Sequence, residues 1–227
     1  MRYGRLFGFC SLAGLLGFAP VSAQPPETKP VEAGKLESTK KEGLLPSTFV
    51  SHIVMDQRTD PAKPTPGKRN VTGKEHCLIT ESELNPTIAI FSGSLPKAEA
   101  SITNLVKSVK VLHETFKADD FNAFVLFHVL KDEFATDVNA DKAAQTIQAW
   151  GDGIKPAGVV LGLGSKGPDD KPTEPMKAWK LAGDGVTVIL YHRHKVVQRW
   201  DFANDEALNA DAIKKIEDAT NAEMKKK

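Results

Sequence analysis

FNAFVLFHVL, residues 121–130, decides how the whole chain reads. Only Asn122 and His128 interrupt its apolar run. A strand with one wet face alternates apolar and polar residues. A strand that is apolar at nearly every position is buried on both faces, as the inner strands of parallel sheets are. Residues 121–130 are therefore expected at the centre of a layered α/β domain. His128, inside the run, reads as a core histidine with its hydrogen bonds satisfied.

The flanking segments fit that frame. PTIAIF, 86–91, is a second short apolar run of strand type. KAEASITNLVKSVKVLHETFK, 97–117, places Ile102, Leu105, Val106, Val109, Leu112 and Phe116 at three-four spacing, which makes a helix packed on one side. Ser94 is the expected N-cap, with Pro96 in the first turn. NADKAAQTIQAWGDG, 139–153, predicts a second helix ending at Gly151 or Gly153. AGVVLGLG, 157–164, predicts a third strand, and MKAWKLAGDG a short piece after it. VTVILYHRHKVVQRWDF, 186–202, reads as two strands around a tight turn at Arg193-His194. ALNADAIKKIEDATNAEMKKK, 207–227, is a closing helix with acids early and lysines late, as the helix dipole favours.

The order is β-α-β-α-β, then β-β-α. Strands linked by helices pair in parallel, with helices expected on both faces, and the closing hairpin adds antiparallel strands. That is a thioredoxin-like mixed sheet flanked by helices. The strand and short piece between the second helix and the hairpin look like a peroxiredoxin-type insertion.

The N-terminal part differs. Arg2 and Arg5 precede the apolar run Leu6–Ala19, followed by PVSAQ. A basic start, a short apolar core and a small-residue site describe a secretory signal peptide, residues 1–23, cleaved after Ala23. The run is shorter than the ~20 residues of a membrane span. An uncleaved anchor is the other reading of the same residues. Residues 24–48, rich in Pro, Glu, Lys, Ser and Thr, read as a disordered linker. Residues 49–71 read as an irregular extension that includes the short strand-like piece FVSHIVMD. The thioredoxin-like domain is placed at 72–222, with a basic tail at 223–227.

Cleavage removes two arginines and no acids, so the formal charge passes from +1 to −1. No basic excess points to nucleic acid or to an anionic surface. Cleavage also removes Cys10. Cys77 is then the one thiol, and no intramolecular disulfide forms. The product is expected to be exported, periplasmic or extracellular, with no transmembrane span.

NVTGKEHCLITESELNPTIAIF, DGVTVILYHRHKVV and ALNADAIKKIEDAT together resemble a family of exported bacterial thioredoxin-like proteins of unassigned role. The resemblance spans about residues 70–222. It implies a Cys-x-x-Cys pair just before the first core strand. Cys77 matches the first cysteine, and Thr80 stands at the second, in CLIT. Thioredoxins themselves carry their thiols after a strand, at a helix N-terminus that stabilises a thiolate. The equivalent stretch here is FSGSLPKAEA, with Ser92 and Ser94 and no cysteine. Where the fold places a cis-proline facing the thiols, this chain has Asp184-Gly185.

Three functional readings follow. The first is a non-catalytic binding module on a scaffold that lacks the dithiol pair, with a protein or small molecule as partner and no cofactor. The second is a monothiol redox protein acting through Cys77, with His76 beside it and Lys74 close by. Against it stands burial of Cys77 as a small apolar side chain. The third is a metal carrier. His192 and His194 would share a face of a straight strand, with Cys77 as a further ligand. The bland alternative is a solvated hairpin turn. Asp119-Asp120 and Asp169-Asp170 read as turn formers. Trp150, Trp179 and Trp200 read as core and rim packing.

Overall fold

The apolar runs 86–91 and 121–130 become neighbouring parallel strands, β3 (Thr87–Ser92) and β4 (Asn122–Phe127). Every residue of β3 is buried, as are all but the first of β4. In the computed structural model the described residues are 43–46, 48–58, 70–82, 84–97, 99–128, 137–164, 174–181 and 185–226. The remaining strands are β1 (Val50–Asp56), β2 (Glu75–Cys77), β5 (Val159–Gly164), β6 (Val186–His192) and β7 (Lys195–Phe202). They form one sheet in the order β2-β1-β5-β4-β3-β6-β7. β3, β4 and β5 run parallel, and every other pairing is antiparallel. The helices are α1 (Leu78–Ser82), α2 (Ser101–Thr115), α3 (Asp137–Ile154), α4 (Glu174–Ala178) and α5 (Ala210–Met224). The unit β3-α2-β4, with the hairpin β6-β7 on the other side of β3 and α5 closing the chain, is the thioredoxin-like fold. The additional α3-β5 continues the parallel side.

The helices are not shared evenly between the faces. The steps from β3 to β4 and from β4 to β5 go the same way across the sheet. Right-handed crossovers therefore put α2 and α3 on one side. α5 joins them there, and Val109, Trp150 and Ile216 meet in one core. The opposite face buries a second core, with Leu78 of α1, Met176 of α4 and Trp179 against Phe91 and Phe124. That face is covered by the two short helices and by the N-terminal segment.

This segment corrects the expected boundaries. Leu45 N–H donates to His194 O at 2.8 Å and Val196 N–H to Gly43 O at 2.9 Å, so Gly43–Leu45 pairs with the start of β7. Phe49 is buried, with its ring 5.5 Å from that of Phe91. Within the expected extension 49–71, Val50–Asp56 is a regular strand. This strand, β1, lies between β2 and β5 and has its backbone bonds met on both sides. The C-terminal limit moves as well. α5 runs to Met224, whose side chain is buried, so the helix enters the expected tail. The signal-peptide segment with Cys10, the cleavage site at Ala23, most of 24–48, and Asp169-Asp170 lie outside the described residues. Among the described residues no helix is long and apolar enough to cross a membrane.

Two helix ends also differ from expectation. α2 begins at Ser101, not beside Ser94. α3 continues through Gly151 and Gly153 to Ile154, with Lys155 in the left-handed region at φ 48°. Gly151 lets the sheet side chains pack close against α3. A Cβ at that position would lie 2.8 Å from Leu161 Cδ1 and from Met55 Sδ.

Gly158 has φ +81°, and a Cβ there would fall 2.0 Å from His113 Nδ1. Gly158→Ala is expected to destabilise the protein by about 2–4 kcal/mol, from backbone strain plus overpacking. Chemical denaturation measures it, and an unchanged midpoint would contradict this packing.

Candidate functional site

The N-terminus of α2 is where the sequence resemblance to thioredoxins would place a thiol. A helix start has orphan N–H groups and a partial positive charge. Here Ala100 stands at the N-cap and its side chain makes no capping bond. The carboxylate of Asp205, from the loop before α5, takes that role. Ser101 N–H donates to Asp205 Oδ2 at 2.6 Å and Ile102 N–H to Asp205 Oδ1 at 2.9 Å. An anion is thus already built in where a thiolate would otherwise be stabilised. Ser94 does not cap the helix. Its carbonyl accepts from Ser92 Oγ at 2.8 Å, which tightens the turn after β3. Gly93 N–H donates to Gly185 O at 2.9 Å, tying that turn to the start of β6.

Cys77 ends β2, opposite Val50 of β1, and is half-buried. Thr80 Oγ1 donates to its Sγ at 3.1 Å. Thr80 therefore places its hydroxyl against the thiol from the second position of CLIT. His76 turns to Glu81, Nε2 to Oε2 at 3.0 Å. Glu81 also meets Arg58 Nη1 at 2.9 Å. Arg58 in turn grips Asp56 with two bonds, Nε to Oδ1 at 2.9 Å and Nη2 to Oδ2 at 2.8 Å. Burial alone would push the Asp56 carboxyl up, but Arg58 and the Val71 N–H overcome that and hold it below its usual range. A surface hollow of about 430 Å³ touches Val50, His76, Cys77, Thr80 and Glu81. The imidazole is held by the carboxylate, not by the sulfur. Among the described residues this is a thiol with a hydroxyl partner beside a separate ion-pair chain.

The histidines of YHRHK do not share a strand face. Arg193 and His194 form the two-residue hairpin turn, with φ 52° and 63°. His192 remains in β6, opposite Lys195, and its Nδ1 meets Glu223 Oε1 of α5 at 3.1 Å. The straight-strand premise behind the His192–His194 pair fails because the chain reverses between them. Among the described residues no group of three His, Cys, Asp or Glu side chains could hold a metal.

His128 follows β4 directly, and its N–H donates to Ser92 O at 2.8 Å. Its side chain is buried, and among the described residues Nδ1 has no hydrogen-bond partner. The expectation of a satisfied core histidine is therefore corrected. Burial lowers its pKa from 6.5 to about 4 and keeps it neutral. The remaining candidates are structural. Asp120 adopts the left-handed conformation at φ 55° and closes a 3-10 turn. Trp150 Nε1–H donates to Thr103 Oγ1 at 3.0 Å, and Trp179 and Trp200 are core residues.

Sequence reading missed Asp205, Arg58, Glu81 and Glu223. The close spacing of Asp56 and Arg58 was a visible signal for their pair. Nothing local marks Asp205 as the cap of a helix that begins 104 positions earlier.

No family model matches the chain, and no curated protein matches it. Among solved structures it is similar to a Chlorobium tepidum structure assigned as thiol:disulfide interchange protein DsbE. The identity is 12%, covering 82% of this chain and 99% of that one, with a TM-score of 0.48. It is also similar to peroxidoxin BcpB from Mycobacterium tuberculosis, at 12% identity, 81% and 97% coverage and a TM-score of 0.48. Reduced Prx3 from Vibrio vulnificus matches at 14% identity, 79% and 99% coverage and a TM-score of 0.46. At such identity and overlap these likenesses say nothing of chemistry. The thioredoxin-like fold rests on the strand order itself.

Because His128 is held neutral, the unfolded chain binds its proton more readily. Stability from this group is full above pH ~6.5 and falls with acidification until pH ~4, by about 3 kcal/mol in all. His128→Leu should flatten that part of the stability–pH curve. An unchanged slope would contradict the burial of the imidazole.

Proposed function

We propose that this protein is an exported, non-catalytic binding module built on the thioredoxin-like scaffold. One observation carries the reading: the Asp205 carboxylate occupies the first N–H groups of α2. A helix start that already holds an anion offers nothing further to a substrate oxyanion or a thiolate. Ser92 and Ser94 stand in that stretch and no cysteine does. The basic start, apolar run and small-residue site at residues 1–23 support export.

A second reading has its own observation. Cys77 is half-buried beside the hollow, and the Thr80 hydroxyl donates to its sulfur. A hydroxyl donor favours the charged form of a thiol. On this reading Cys77 forms mixed disulfides without a resolving partner.

The two separate cleanly. Dithiol reductase and peroxidase rates of the protein and of Cys77→Ser are expected to be equal and at background. Turnover that vanishes in Cys77→Ser would replace the binding reading with the monothiol one.

A further inference from the structure

We propose that the groove between the β6–β7 turn and the C-terminal end of α5 binds a ligand with two neighbouring anionic groups, phosphate or carboxylate. The groove encloses about 730 Å³, a size that suits a small ligand. Its lining gathers Leu44, His192, Arg193, Lys195, Glu223 and Lys226 from three separate parts of the chain. Four of these six side chains are basic or can become so, and one is acidic.

The acid is already engaged. Glu223 Oε1 meets His192 Nδ1 at 3.1 Å, and Lys226 Nζ donates to Oε2 at 2.7 Å. Burial would push the Glu223 carboxyl up, and Lys226 and His192 hold it below its usual range, so it stays charged. Through Nδ1 it orients the His192 ring. Arg193 and Lys195 are exposed and form no ion pair among the described residues. An arginine fork matches two oxygens of one oxyanion, and a lysine adds a point charge for a second group.

The backbone gives an independent reason. A two-residue hairpin turn of type I′ needs positive φ at both positions, where Asn-Gly costs least. This turn has Arg193 at φ 52° and His194 at φ 63°. Neither Arg193 nor His194 is the low-cost choice for such a turn, so a long basic side chain is kept there at some backbone cost. The assignment gives the binding reading its ligand class and rests on it. The thiol assays test that reading, and a titration tests the groove, so the two fail separately.

The test is calorimetric titration of the protein with pyrophosphate at low salt, with inorganic phosphate as the single-anion comparator. Saturable binding at one site is expected, tighter for pyrophosphate. Arg193→Gln/Lys195→Gln should weaken it by ~10-fold or more, since hydrogen bonds to charged groups contribute at that level. Lys107→Gln/Lys142→Gln, which removes the same charge elsewhere, should bind as the parent does. Arg193→Asn/His194→Gly should raise the melting temperature while losing affinity, which separates lost binding from misfolding. Vesicles of cardiolipin, against phosphatidylcholine, identify the source. Recruitment that pyrophosphate reverses means a lipid headgroup uses the groove, and no recruitment means a free ligand does. No saturable binding of pyrophosphate by the parent protein, or equal binding by Arg193→Gln/Lys195→Gln, would overturn the proposal.

Discussion

One carboxylate, that of Asp205, joins the two ends of the fold. It lies just before α5 and is bonded to the first turn of α2, so the closing helix and the helix between β3 and β4 are tied at their starts. Both helices pack on the same sheet face, where Val109 and Ile216 share a core. The bond settles where α2 begins, since the helix starts where its orphan N–H groups find an acceptor. It also gives the α2 terminus an anion from within the chain. The dipole that would favour a bound thiolate instead favours a residue of the protein itself.

The two sides of the sheet carry different kinds of organisation. The face under α2, α3 and α5 is built of long amphipathic helices over apolar strands. The other face is assembled from α1, α4, Phe49 and the ring chain Phe49–Phe91–Trp179. Its margins hold most of the unusual chemistry. The Asp56–Arg58–Glu81–His76 chain lies at the β1–β2 side, and Gly43–Leu45 crosses the start of β7 at the other. A buried charge pair such as Asp56–Arg58 contributes little net stability, and removing one partner is costly because the other is stranded. The pair therefore acts as a constraint on β1 and the segment after it.

Much of this was legible in the amino-acid order. Runs apolar at nearly every position, in 86–91 and 121–130, point to strands buried on both faces. The three-four spacing from Ile102 to Phe116 similarly points to a helix packed on one side. The turn at Arg193-His194 was legible too, because it sits at the middle of the four polar residues 192–195 between two apolar runs. What escaped depends on partners remote in sequence. The start of α2 was misplaced because its capping acid arrives through the tertiary fold. Gly151 and Gly153 looked like helix ends, since nothing in their neighbourhood reveals that Met55 and Leu161 press on the helix. FVSHIVMD was visible as a strand, but its place inside the sheet needed β5. The Cys77 neighbourhood was half legible. CLIT brings Thr80 onto the sulfur, while the preference of His76 for Glu81 depends on how α1 folds back.

The N–H groups at the start of α2 belong to Asp205. Hydrogen exchange at the Ser101 and Ile102 amides tests this most directly, in the protein and in Asp205→Ala. First-turn amides have no intrahelical acceptor and exchange freely unless capped. The account predicts that both are protected in the protein and lose that protection in Asp205→Ala, while the middle of α2 stays protected in each. Fast exchange of both amides in the unaltered protein would contradict it, and the α2 terminus would then be open to a ligand or a thiolate.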